Sequence, residues 1–154
     1  EELITEEVYL AIPREYACVR HLNPWEGTPD NPYHIDPADI GRIPMLMPYP
    51  GSGFYRCASG LMEKAGMHPG RIVNYGNMNT AYQLACKGVG GIFITPAFFL
   101  RVFPHLQQHL AFCTLQRPAY IRRSVAGFRP DNPKIDYVHE MIGLIRARLL
   151  PELE

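Results

Sequence analysis

An α/β fold built around a parallel sheet is the architecture this chain predicts, on three observations. Between Ile43 and Phe99, short apolar runs of strand length alternate with stretches of helical period. In IPMLMPYPGSGFYR, and again in GRIVNYGNMNTAYQLACKGVGGIFITP, the apolar run stops at Pro, Gly, Ser or Asn before a helical pattern starts. Ahead of both, Val8 to Ile12 is almost continuously apolar, as suits a strand covered on both faces. At 154 residues the chain is long enough to bury a sizeable core, as one domain or one and a half lobes of a two-lobed one.

The elements follow in order. Pro13 ends the first strand. Pro24, Pro29, Pro32 and Pro37, with Gly27 and Asn31, then make HLNPWEGTPDNPYHID a surface loop that sustains neither helix nor ladder. Asp36 is placed to cap one helical turn to Ile40, with Pro37 at its first position. Met45 to Met47 is a buried strand. The helix after it carries Phe54, Ala58, Leu61, Met62 and Ala65 on one face, with Ser52 as cap, Gly66 as stop and Pro69 beyond. Arg71 to Tyr75 is the next strand. A helix from Thr80 to Lys87 buries Ala81, Leu84 and Ala85 and stops at Gly88. Gly91 to Thr95 is a third strand, and Pro96 opens a short helix, AFFLRVF. Strand, helix, strand, helix, strand in this order gives parallel β-α-β units with right-handed crossovers, in which ligands sit outside the carboxyl ends of the strands. Those ends are the loops at Pro48 to Gly53, Gly76 to Asn79 and Thr95 to Pro96.

After Pro104 the pattern changes. Leu110 to Leu115 and Tyr120 to Phe128 are strand-like, and Asn132-Pro133 caps a long helix with Ile135, Val138, Ile142, Ile145 and Leu149 on one stripe. The rest of the chain offers that stripe little to cover it, so association with further copies is expected.

Lys plus Arg equals Asp plus Glu, so the global balance favours neither nucleic acid nor an anionic membrane. Between Ile40 and Pro130, however, Arg42, Arg56, Lys64, Arg71, Lys87, Arg101, Arg117, Arg122, Arg123 and Arg129 stand against one acid, Glu63. That segment is either a set of separately solvated bases or a cleft suited to a carboxylate. Paired carboxylates for acid-base chemistry cannot be assembled there, and no G-x-S-x-G element surrounds Ser52, so an enzyme is not expected. Cys18, Cys57, Cys86 and Cys113 are irregularly spaced without C-x-x-C, which disfavours a disulfide framework or zinc site and leaves a redox role open for Cys57 or Cys86. His105 and His109 stand four apart but lack a carboxylate companion; neither a metal nor a cofactor is expected. No apolar run reaches membrane-spanning length and no signal peptide is present, which points to a cytoplasmic protein without membrane partners.

The candidate ligand residues are those at the strand ends. Ser52, between Gly51 and Gly53, can cap its helix and also donate its hydroxyl to a ligand oxygen, while the glycines let backbone approach closely. Asn77, Asn79 and Thr80 present amide and hydroxyl groups at the next helix start, or serve only as turn and cap. Thr95 faces either the cleft or a half-buried strand environment. Arg129 is able to hold a carboxylate through two parallel hydrogen bonds.

PGSGFYRCASGLMEKAGMHP, the GNMN run and LACKGVGGIFITP, in that order and spacing, resemble the effector-binding domain of LysR-type transcriptional regulators. EEVYLAIPREYA is similar to the strand entering that domain's second subdomain, DPADIGRIPMLM to the stretch that follows, and RRSVAGFRPD with the final helix to the return segment. The resemblance implies a periplasmic-binding-protein-like (type 2) fold of two α/β lobes with a small-molecule effector between them, the second lobe complete and the first only partial. It divides the chain into a first-lobe strand and crossover (1–13), a second lobe (14–105) and a return segment with the carboxyl-terminal helix (106–154). The family's winged helix-turn-helix, through which DNA is bound, lies ahead of this chain and is absent from it. An extracytoplasmic solute-binding protein of the same fold is the alternative.

Overall fold

Strand β1 (Glu2–Pro13) is the element on which the rest of the sheet is assembled. The computed structural model describes residues 1–23, 26–94 and 108–148. β1 is longer than its apolar run because its two halves have different neighbours. From Glu2 to Val8 it pairs antiparallel with β7 (Tyr120–Val125), with an irregularity in register between Glu2 and Ile4. Beyond Val8 it has two antiparallel partners, β5 (Gly91–Ile94) along Tyr9 to Ala11 and β6 (Leu110–Thr114) along Leu10 to Pro13. Val8 to Pro13 are all buried, whereas Glu2 to Glu7 are exposed or half-buried. Burial on two faces explains the unbroken apolar run; the half that makes only a two-stranded ribbon needs none.

The sheet continues through β3 (Met45–Pro48) to β4 (Ile72–Tyr75) on one side and ends at β2 (Tyr33–His34) on the other, in the order β2-β6-β1-β5-β3-β4. β3 is parallel to both β4 and β5, as expected of two β-α-β units. The chain steps outward from β3 to β4 through helix α3 (Gly53–Lys64), then back across β3 to β5 through helix α4 (Met78–Cys86). Because the two crossovers step in opposite directions with the same hand, their helices lie on opposite faces of the sheet. The core shows this. Met45 and Met47 pack with Ala58, Leu61 and Met62 of α3, whereas Leu46, pointing the other way, packs with Ala81, Tyr82 and Ala85 of α4.

Several boundaries differ from the sequence expectation. A short helix, α1 (Ala17–Arg20), precedes the proline-rich loop, and near its end that loop forms β2, which runs parallel to β6. Tyr33 and Ile35 are buried there, because their side chains close the edge of the core under α2 (Pro37–Ile40), which Asp36 caps as expected. α4 starts at Met78 rather than Thr80, since Asn77 takes the cap, and this turns Tyr82 into the core while Leu84 is only half-buried. The helix expected after Pro96, with His105, lies outside the described residues.

Helix α5 (Ile135–Arg148) corrects the expectation about its stripe. Ile142 is buried, and Ile135, Val138 and Ile145 are half-buried; Leu149 lies outside the described residues. Glu1 ties the helix to the start of β1: its carboxylate lies 3.1 Å from Nδ1 of His139 and forms an ion pair with Arg146 (3.1 Å), and Arg146 also donates to the Glu2 carbonyl at 2.7 Å. The opposite face is the uncovered one: Tyr137, Met141 and Leu144 are 70%, 63% and 51% exposed.

Candidate ligand-binding site

Parallel pairing carries β3 and β4 to a common end, with Pro48 opposite Tyr75. Past that point Tyr49 still donates its N–H to the Tyr75 carbonyl (3.2 Å), and the Asn74 amide donates to the Pro48 carbonyl (3.1 Å). The two chains then part, one turning up into α3 and the other down into α4. Neighbouring parallel strands that send their connections to opposite faces leave room for a ligand at their ends, and by that rule the crevice is expected between loops 49–52 and 76–77. Tyr49 stands at its lip, 61% exposed, with its ring beside Gly76. Sequence reasoning missed Tyr49; the signal was an exposed aromatic between two prolines at a strand end.

Each helix start is organised by its cap. Gly51 holds φ +97° with no atom near where a Cβ would stand, so its backbone conformation and not crowding calls for glycine. Ser52 follows in extended geometry, and its hydroxyl oxygen accepts the Tyr55 N–H at 3.0 Å. Asn77 does the same for α4, its Oδ1 accepting the Asn79 N–H at 2.8 Å. Capping uses one acceptor of each side chain. The Ser52 O–H and the Asn77 amide N–H groups stay available to a ligand, as do the first-turn N–H groups of Gly53 and Phe54, which have no carbonyl within the helix. Gly51, Ser52, Gly53, Asn77, Asn79 and Thr80 are all exposed, so the structure brings six of the eight expected residues to this one end of the sheet. Thr95 lies outside the described residues.

Arg129 meets a carboxylate of its own segment. Its guanidinium is bound through Nε (3.2 Å) and Nη2 (3.0 Å) to the carboxylate of Asp131, two residues along the same turn. Two other bases of the cationic segment are engaged between the ribbon and α3. Arg122 pairs with Glu6 at 3.4 Å and lies 5.3 Å from the centre of the Phe54 ring, while Lys64 lies 5.2 Å from that of Tyr120. These contacts seat β7 against the length of α3, beside its first turn.

Burial raises the pKa of all four cysteine thiols, most strongly that of Cys113; at Cys57 the nearby Arg122 opposes the shift without cancelling it. A raised pKa leaves less thiolate at a given pH. All four are therefore expected to react more slowly with a thiol reagent at pH 8 in the native chain than in urea, and Cys113 only on unfolding. Rapid native labelling of Cys57 or Cys86 would restore the redox reading. Among the described residues no group of three or more His, Cys, Asp or Glu is placed to hold a metal ion, and no helix is long and apolar enough to cross a membrane.

No protein-family model matches the chain, and no curated protein matches it by sequence. Solved structures do. The regulatory domain of MetR, a LysR family regulator from N. meningitidis, superposes with a TM-score of 0.73 at 10% identity, over 99% of this chain and 64% of that one. The effector binding domain of QuiR in complex with shikimate gives 0.63 at 12%, over 96% and 65%, and that of BenM with its effector benzoate 0.53 at 19%, over 95% and 62%. The chain thus has the fold of LysR-family regulatory domains, the periplasmic-binding-protein-like (type 2) α/β architecture, and spans less than two thirds of each of these structures.

Proposed function

We propose that this chain is the effector-sensing part of a LysR-type transcriptional regulator, acting in the cytoplasm, and that it binds a small organic anion in the crevice between the ends of β3 and β4. The observation that carries the reading is the convergence of two capped helix starts, with their free N–H donors, at one end of a parallel sheet in this fold. Shikimate and benzoate, the ligands of QuiR and BenM, are both carboxylates. Binding and not bond-making is the activity. In this reading residues 1–13 are a first-lobe strand and crossover, 14–105 the second lobe, and 106–154 the return segment. Occupancy is passed to a DNA-binding domain by a change in the relative position of two lobes. Association of copies through the exposed face Tyr137, Met141 and Leu144 is part of the proposal, and sedimentation equilibrium tests it: a monomer at high concentration refutes that part.

Thermal unfolding in the presence of benzoate, shikimate and a panel of other small carboxylates tests the site. At least one carboxylate is expected to raise the midpoint while its neutral amide does not; a ligand at a hundred times its Kd adds about 2.7 kcal/mol. Stabilisation by neutral or cationic compounds alone would refute the anion reading. Ser52→Ala is expected to lower stability by about 1 kcal/mol through the lost cap. A further loss of affinity, measured on folded protein, assigns the hydroxyl to the ligand; unchanged affinity leaves it a cap only.

A further inference from the structure

A cavity of about 580 Å³ opens at the other end of β3, between α1, β2 and α2. Ile43, in its wall, precedes Pro48 by five residues, so at about 3.3 Å per residue the cavity and the crevice are about 16 Å apart along the strand. Part of its wall is apolar, where Ile35 and Ile43 are 5% and 6% exposed and Leu22 is half-buried; Tyr16, Cys18, His21 and His34 also line it. Its rim is charged. Asp39, in the last turn of α2, and Arg42, just beyond it, both line the cavity and are both exposed. Gly41 keeps a helical backbone between them, so the two side chains stand one turn apart. Neither makes a hydrogen bond or ion pair through its side chain with another described residue, whereas Asp36 is occupied in capping α2.

We infer that this cavity binds a free α-amino acid with an apolar side chain, its carboxylate on Arg42, its ammonium on Asp39 and its side chain against Ile35, Ile43 and Leu22. Residues three apart on a helical turn have Cβ atoms about 5–6 Å apart, a separation that suits the two charges carried on one carbon. A simple anion at Arg42 meets the Asp39 carboxylate, and a simple cation at Asp39 meets the guanidinium. A ligand bearing both charges meets both groups favourably. The volume falls within the range of about 300–1,000 Å³ usual for small-molecule sites, and the apolar wall gives the ligand's side chain a place to leave water. The inference stands independently of the anion crevice.

Calorimetric titration of the chain with L-leucine and L-methionine tests it, alongside 4-methylpentanoate and isopentylamine, which each keep one charge of leucine. Saturable binding of at least one amino acid is expected, with both single-charge analogues weaker by about tenfold or more. Arg42→Met and Asp39→Asn, at exposed positions, are expected to keep the thermal midpoint and weaken binding by about tenfold each. Arg42→Gln serves as a second variant if Arg42→Met shifts the midpoint. Ser52→Ala is expected to leave this affinity unchanged. No binding by either amino acid at about 10 mM, retention of affinity in the Arg42 variants, or its loss in Ser52→Ala, which would place the ligand in the crevice instead, each overturns the assignment.

Discussion

Gly90→Ala is expected to destabilise the fold by about 3 kcal/mol or more, because the added methyl has nowhere to go. A Cβ at Gly90 would stand 2.4 Å from the carbonyl oxygen of Pro44 and 3.0 Å from its carbonyl carbon. Both are backbone atoms, so no rotamer relieves the overlap. Nor is the segment free to shift, since the Gly91 N–H donates to that same Pro44 carbonyl at 2.9 Å and the Met45 N–H to Arg71 at 2.9 Å. Relief requires β5 to move away from the start of β3, opening a pairing at the centre of the sheet. Urea unfolding measures the loss, and Gly60→Ala is the control. Gly60 is inside α3 with nothing within 4 Å of its added methyl, so alanine there is expected to stabilise by about 0.5–1 kcal/mol. A Gly90→Ala chain as stable as the parent would show that the β3–β5 contact is not made as described.

Phe93→Ala is expected to cost about 3–5 kcal/mol. Phe93 is 1% exposed in the middle of β5, in the cluster that also holds Met45, Met47, Leu10 and Leu61. Truncation leaves a cavity between the sheet and α3 that the strands, fixed by pairing on both sides, cannot close. Ile121→Ala, at a 52% exposed site on β7, is expected to change stability by about 0.5 kcal/mol or less. Equal costs at the two positions in denaturant titration would contradict the assignment of the core to the α3 face.

The β-α-β region was legible because its signals are local. Ser52 and Gly66 bracket α3 nearly as its residue types require, and the odd-even alternation of Met45, Leu46 and Met47 between two helices is a property of any buried parallel strand. What the sequence hid was decided by partners far along the chain. Nothing in Tyr33-His34 marks a strand until β6 lies beside it, and Glu2 to Glu7 become a ribbon only by pairing with β7. The same holds at the site. Ser52 and Asn77 follow from capping rules, whereas Arg129, suited by type to a carboxylate, found one in Asp131. The excess of bases gave no warning of this because it was summed over a segment, while ion pairs form across space, as Arg122 does with Glu6.

β1 gives the molecule a lever. One unbroken strand enters both pairings, and its partners change between Val8 and Tyr9, from β7 on one side of that point to β5 and β6 on the other. α5 is fastened to the outer end of the strand through Glu1 and Glu2. From that junction to Glu2 the strand runs about 20 Å, so a tilt of about 10° there would displace the attached helix by about 3.5 Å. Arg122 and Phe54 join the ribbon to the first turn of α3, so the same tilt is resisted or driven from the edge of the crevice. By these contacts a small rotation at one helix start would be carried to the other end of the chain as a displacement the size of a side chain.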